Sequence, residues 1–225
     1  MYARVWKRVM DFSLALVALI VLLPVLLILT VVGAVIMKGD PFFTQIRPGK
    51  DEKLFRLIKF RSMTCEKDSK GNLLPDEKRL TAYGRFLRAS SLDELPELLN
   101  ILKGDMSVVG PRPQLVRDMV FMTPEQRKRH MVRQGLTGLA QVNGRNGITW
   151  EQKIDYDLQY IENITLWGDI KIILKTVQKV FVREGVSAEG MDTAEDLGDY
   201  LLRTGRVSGR EYEKRQAEAQ TLLHV

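Results

Sequence analysis

Two adjacent carboxylates, Asp93 and Glu94, stand in the run Ser90-Ser91-Leu92-Asp93-Glu94-Leu95-Pro96-Glu97, where a helix is expected to start near Ser91 or Pro96 and end before Gly104. Such a pair can supply a nucleophile, or a ligand for magnesium, because carboxylate oxygens attack phosphorus and suit hard cations. The same spacing makes Ser91 and Glu94 a capping box, which needs no chemistry. Arg112 lies between prolines in Gly110-Pro111-Arg112-Pro113. Its backbone is stiffened and its guanidinium fork matches a phosphate, although a surface turn would read the same way. Arg145 sits in the glycine-rich stretch 135–147, whose two Asn-Gly pairs announce tight turns. Its amides and guanidinium suit a base or a phosphate, and they suit a bare hairpin tip equally. Asp157 follows Trp150 by seven residues and Ile154 by three, so it falls on an apolar helix stripe. A carboxylate there needs a metal or a cation, with Arg88 and Arg145 as candidates, and a structural ion pair would serve as well as a site. Lys59 shares a strand face with Arg61, turned towards an anion or water. Cys65 and His130 lie in polar contexts and are expected to do no chemistry.

These residues need elements to hold them. Phe42–Ile46 and Leu54–Phe60 flank the turn-rich Arg47-Pro48-Gly49-Lys50-Asp51, which predicts a β-hairpin, and polar residues 64–78 predict a loop. Thr123-Pro124-Glu125 opens a strongly basic helix, and Thr149 with Gln152 caps another that carries Trp150, Ile154, Leu158 and Ile161. Ile170, Leu174, Val177 and Phe181 form the stripe of a further helix with Lys171, Lys175 and Lys179 beside it, fit to pack on a core or to lie on anionic lipid. Beyond Gly185 the chain turns polar and acidic, and only Gly209–Leu223 reads as helical.

Phe12 to Met37 are 26 residues without a charge, long enough for a membrane segment and too long for the core of a signal peptide. Pro24 interrupts the run, and each half reaches only about 18–20 Å, short of a hydrocarbon core of about 30 Å. Lys7, Arg8 and Lys38 make both flanks basic, which favours keeping both ends on the cytoplasmic side. A re-entrant hairpin and a kinked single-pass helix both satisfy these residues.

Composition narrows the classes. Of 225 residues, 45% are hydrophobic and 28% charged, which excludes wholesale disorder. One cysteine excludes a disulfide framework or a cysteine-built zinc site, and two histidines argue against a histidine cage. The net charge of +6 divides into +9 over residues 1–188 and −3 from Glu189 onward. A basic body implies an anionic partner: nucleic acid, a phosphorylated ligand or a lipid surface.

Lys7-Arg8-Val9-Met10-Asp11, the Pro24-interrupted helix, Lys59-Phe60-Arg61-Ser62-Met63, Ser91-Leu92-Asp93-Glu94-Leu95-Pro96, Lys103-Gly104-Asp105-Met106-Ser107, Gly110-Pro111-Arg112-Pro113 and Gly138-Leu139-Ala140-Gln141-Val142-Asn143-Gly144-Arg145 occur in one order. In that order they resemble the bacterial sugar transferases, the monotopic polyprenyl-phosphate phosphoglycosyl transferases, over about residues 2–188. The chain is similar to their small catalytic-core type, which moves diacetylbacillosamine phosphate to undecaprenyl phosphate. The resemblance implies transfer of a sugar phosphate from a UDP-sugar to a polyprenyl phosphate, with release of UMP, through a covalent aspartyl intermediate in the first membrane step of glycoconjugate assembly. It implies Asp93 as nucleophile and Mg²⁺ ligand, Glu94 as its assistant in proton transfer, and Lys59, Arg88, Arg112, Arg145 and Asp157 at or near the substrate phosphates. It implies Lys7, Arg8, Asp11 and Pro24 as membrane-anchoring residues, and a catalytic domain on the cytoplasmic face of the bacterial inner membrane. The family's serine before the proline is replaced here by Leu23, which removes one hydroxyl able to satisfy the interrupted backbone. The acidic tail lies outside the pattern and receives no role.

The expected fold is α+β, mostly α, with the re-entrant helix (1–38), a catalytic domain (39–188) holding a small β-hairpin and amphipathic interfacial helices, and a polar acidic tail (189–225). Expected partners are a UDP-sugar, polyprenyl phosphate and the inner leaflet, without nucleic acid and with homo-oligomerisation left open. Two alternatives remain: a membrane glycosyltransferase that releases UDP, and a basic membrane-tethered protein that binds without turnover.

Overall fold

A computed structural model describes residues 2–144, 147–182 and 195–223. The fold is α+β and mostly helical, with two separate two-stranded sheets. In chain order the elements are α1 (Lys7–Met37), β1 (Phe42–Pro48), β2 (Leu54–Phe60), α2 (Asp76–Arg79), α3 (Ala82–Ser90), α4 (Glu97–Lys103), β3 (Met106–Val109), α5 (Val116–Met119), α6 (Pro124–Arg127), β4 (Gln134–Thr137), α7 (Leu139–Asn143), α8 (Trp150–Glu162), α9 (Leu166–Val182), α10 (Leu197–Arg203) and α11 (Gly209–Leu223).

Helix α1 continues through Pro24. The proline withholds one backbone N–H without ending the helix. Both halves of α1 lie against the same body. Ala15, Ala18 and Leu19 pack with Phe55, Leu57, Leu98 and Ile101, while Leu26 and Leu29 pack with Phe60, Leu87 and Tyr83. The Tyr83 hydroxyl donates to the Leu29 carbonyl at 2.8 Å. At Gly33 an added Cβ would meet the Tyr83 hydroxyl at 3.1 Å, so the helix makes a close approach there that a side chain would crowd. The rest of its apolar surface, including Ile20, Val21, Ile28, Val31 and Val35, is exposed. Three of the residues expected at the membrane anchor, Lys7, Arg8 and Asp11, make polar contacts with the body. Asp11 accepts from Ser107 Oγ (2.7 Å) and the Val108 N–H (3.0 Å). Lys7 reaches Asp169 (2.7 Å), and Arg8 donates to the carbonyls of Ile101 and Leu102.

The expected hairpin is present, with Arg47 and Pro48 inside β1 rather than in the turn. Residues 64–78 are irregular apart from the start of α2 and isolated bridges. The parallel β3–β4 pair was not legible in the sequence, because its strands are four residues long and Gly135 lies in a stretch that reads as turns. That glycine is required by approach: a Cβ on it would stand 2.1 Å from the Gly110 nitrogen.

Other local expectations are corrected. Ser91 makes no capping box; it takes a left-handed conformation (φ 57°) that ends α3, and Leu92–Glu94 follow as a single 3₁₀ turn. The helix opened by Thr123 has the expected cap, in a box completed by Gln126, but is one turn long, and its continuation buries Arg129. On α9 the core side is Asp169, Ile172 and Thr176, while Leu174 and Val177, together with Leu166 and Trp167, face outward beside Lys171 and Lys175. Phe181 and Lys179 belong to the same helix, and the Phe181 side chain lies outside the described residues.

The tail folds onto the body. Helix α11 has the expected bounds, and α10 was not anticipated. Leu197 and Ala219 join Val116, Met119, Val120, Phe121, Met122, Trp150 and Ile154 in one core cluster. The Leu197 N–H donates to Asp118 Oδ1 (2.8 Å), Trp150 Nε1 to the Glu195 carbonyl (3.1 Å), and Asp196 pairs with Arg117.

Candidate active site

Strand β2 supplies Lys59, and the 3₁₀ turn after α3 supplies Asp93 and Glu94. Their juxtaposition is set by Asn100 on α4, whose side chain is 2% exposed. It donates to the Arg56 carbonyl (2.8 Å) and accepts from the Ile58 N–H (3.2 Å), so α4 is locked in register across β2. One turn earlier on α4, Glu97 therefore sits over Lys59. Lys59 Nζ bridges Glu94 Oε1 (2.9 Å) and Glu97 Oε1 (3.1 Å), and Arg112 Nη2 reaches the same Glu94 oxygen at 2.6 Å.

Charge and burial divide the three carboxyls. Burial alone would raise Glu94, but Arg112 and Lys59 overrule it and hold its carboxylate well below the usual range. Burial pushes Asp93 up to about 6, helped by the negative charge of Glu94 and opposed by Lys59, Arg112 and Arg88. Glu97 is pushed up to about 7 by burial and by Glu94, against the pull of Lys59. Burial disfavours the Lys59 ammonium, yet Glu94 and Glu97 raise it on balance. Among the described residues Asp93 makes no hydrogen bond or ion pair. It is the carboxylate left available for an incoming group.

Arg112 is positioned from behind. Arg129, fully buried, donates to the Arg112 carbonyl (2.6 Å) and clamps Asp157 Oδ2 with two nitrogens (2.7 and 2.9 Å). Asp157 is thus buried as its place on the apolar stripe predicts, but its cation is Arg129. It reaches Arg112 only through that residue. Arg88, in the last turn of α3, donates Nε to Ser62 Oγ (3.0 Å) and contributes to the field at Asp93. Arg145 lies outside the described residues. The structure therefore brings Lys59, Arg88, Asp93, Glu94 and Arg112 together and sets Asp157 one layer back.

Glu97 and Arg129 were missed. Glu97 falls three residues after Glu94, a helical spacing that the capping-box interpretation obscured, and Arg129 was one of several basic residues in a helix read only as strongly basic.

For magnesium, no group of three or more His, Cys, Asp or Glu suited to a metal occurs among the described residues. Glu94 and Glu97 are engaged by cations, which leaves Asp93. One carboxylate completed by substrate phosphate and water is an ordinary magnesium arrangement, so the residues fit the ion in that form.

Residues 2–183 match the family described as bacterial sugar transferase. A sugar transferase of Bacillus subtilis, EpsL, whose function is itself uncharacterised, is 49% identical over 84% of this chain and 94% of its own length. The UDP-glucose:undecaprenyl-phosphate glucose-1-phosphate transferase of Klebsiella pneumoniae is 42% identical over 80% of this chain, which spans 41% of that relative. The undecaprenyl-phosphate galactose phosphotransferase of Salmonella typhimurium is 37% identical over 81% of this chain and 42% of its own length.

Proposed function

The chain belongs to the bacterial sugar transferase family, a family of enzymes, and from that membership we propose that it transfers a sugar phosphate from a UDP-sugar to a polyprenyl phosphate such as undecaprenyl phosphate. The observation that carries this is the unpaired Asp93 carboxylate beside a Glu94 held ionised by Lys59 and Arg112. In the first step an Asp93 oxygen attacks the sugar-bearing phosphorus. The bond to the bridging oxygen breaks, and UMP leaves with the electron pair. In the second, a lipid phosphate oxygen attacks the same phosphorus and the Asp93 carboxylate departs restored. No net proton is needed, since each attacking oxygen is already anionic; Glu94, held ionised, orients the two cations. Arg112 and Arg88 offer guanidinium charge to the pyrophosphate, where negative charge builds in phosphoryl transfer. Magnesium, when bound through Asp93, would supply further neutralisation of that charge.

We also propose that the enzyme is monotopic. Both halves of α1 rest on one body while its exposed face is apolar, which suits a helix held against the body within a single leaflet. Basic residues on both flanks favour the cytoplasmic side. The outward apolar residues of α9, among them Trp167 and Leu174 with Lys171 and Lys175, suit the headgroup level of the same leaflet.

The test is single-turnover. Enzyme given a turned-over UDP-sugar and Mg²⁺, without lipid acceptor, should release UMP in a burst and gain the mass of a sugar phosphate, and Asp93→Asn should do neither. Active enzyme that shows no adduct under fast quench would remove Asp93 as nucleophile, and release of UDP instead of UMP would replace the reaction altogether.

A further inference from the structure

Two cations near the site form no ion pair among the described residues. Arg47, near the end of β1, pairs with Phe55 across the hairpin, and Lys59 pairs with Phe43. Opposed residues of an antiparallel pair share a face, so Arg47 and Lys59 project from the same side. Arg47 donates Nη2 to Gln45 (2.7 Å), while its Nε is buried with no partner among the described residues. Lys153 stands one helical turn before Asp157 on α8, on the side that faces the Arg112 loop through Arg129. It is half-buried over the Trp150 ring (5.2 Å). Neither Arg47 nor Lys153 forms an ion pair among the described residues.

Both cations lie in the field of Arg112. Burial and Arg112 lower Arg47 to about 10, and the same two causes lower Lys153. The carboxylates that face Arg47 are already committed. Glu97 holds Lys59, Asp118 accepts the N–H groups of Leu115 and Leu197, and Asp196 pairs with Arg117. Arg47 on β1 and Lys153 on α8 thus both lie within the electrostatic reach of Arg112, which is itself bonded to Glu94. Burying unpaired positive charge is costly unless an anion arrives. A guanidinium with an unused N–H beside an ammonium suits the oxygens of a phosphate.

We propose that Arg47 and Lys153, with Arg112, form a second phosphate subsite, one that holds a substrate phosphate other than the phosphorus attacked by Asp93. The proposal rests on the sugar-phosphate transfer described above. Two substrates carry such a group: the nucleotide, whose uridine-bearing phosphate leaves, and the lipid acceptor.

The experiment uses full-length enzyme in mixed micelles with Arg47→Gln, Lys153→Met and the exposed-site control Lys50→Gln. Binding of UMP and inorganic pyrophosphate is followed by calorimetry, and KM and kcat are measured for UDP-sugar and for undecaprenyl phosphate. Arg47→Gln and Lys153→Met should each weaken one of these ligands about tenfold or more, as expected for loss of a charge-assisted contact, with a smaller change in kcat and a shallower salt dependence. Weakened UMP and pyrophosphate assigns the subsite to the nucleotide; a raised KM for undecaprenyl phosphate alone assigns it to the acceptor. If Arg47→Gln fails to fold, Arg47→Lys and Lys153→Met carry the test, the former recovering part of the affinity. Unchanged affinity for all ligands in folded variants, with wild type turning over, overturns the subsite alone. Wild type that releases no UMP overturns the transfer reaction, while pyrophosphate binding still reports on the three cations.

Discussion

A single oxygen of Glu94 receives both Lys59 and Arg112, so the charge of that carboxylate is spent on positioning and Arg112 keeps its other N–H groups for substrate. Arg112→Lys should therefore lose about 100-fold or more in kcat despite retaining the charge, since an ammonium cannot hold Glu94 and a phosphate in one plane; near-normal turnover in folded Arg112→Lys would make the arginine a turn residue. His130 makes a separate claim on pH. Burial and neighbouring Arg129 lower it to about 3, against about 6.5 in an unfolded chain. Below pH 6.5 the unfolded state takes up a proton that the folded state refuses, so this residue costs stability as pH falls. His130→Gln should consequently gain on wild type by about 1.4 kcal/mol per pH unit between pH 6 and 4, measured by denaturant unfolding. Parallel curves for the two proteins would show that His130 is hydrated in the folded state. At this scale the sequence was most informative: it singled out Asp93, Glu94, Lys59 and Arg112 by residue type and motif, and the fold brings the four together. Arg47, Glu97, Arg129 and Lys153 were silent, because a charge acquires meaning only from neighbours that the fold supplies.

Elements were legible in proportion to their length and capping. The hairpin, α8 with its Thr149–Gln152 box, and α11 follow from periodicity and caps. The β3–β4 pair and the left-handed Ser91 did not, since both depend on contacts distant in sequence. Helix α8 shows what that distance hides. Its apolar stripe reveals that Asp157 is buried, but only the fold reveals Arg129, and with it the link from α8 to the Arg112 carbonyl. Asp157→Ala should strand a fully buried guanidinium and cost roughly 3–5 kcal/mol, read as a lower denaturation midpoint. It should also weaken turnover through Arg112. Unchanged melting together with unchanged activity would show that the pair is solvated.

On the scale of the whole molecule, the site has a front and a back made from opposite ends of the chain. Helix α1 lies along the hairpin and α4, and the tail closes the core under α5 and α8. The tail extends beyond the matched residues 2–183, yet Leu197 is 3% exposed within that core. Leu197→Ala should cost roughly 2–5 kcal/mol, whereas a tail that merely rests on the surface would tolerate the change within about 0.5 kcal/mol. This arrangement imposes an order on synthesis. The apolar helix precedes the body in the chain, so it is made while the residues after it are still unmade. The strand that carries Arg47 and the helix that carries Lys153 gain their last packing partner only when Leu197 and α11 emerge. The wall that carries these cations is therefore completed only after the apolar helix has been made, and a chain cut short before Leu197 would hold the helix and the motif residues without the core that backs them.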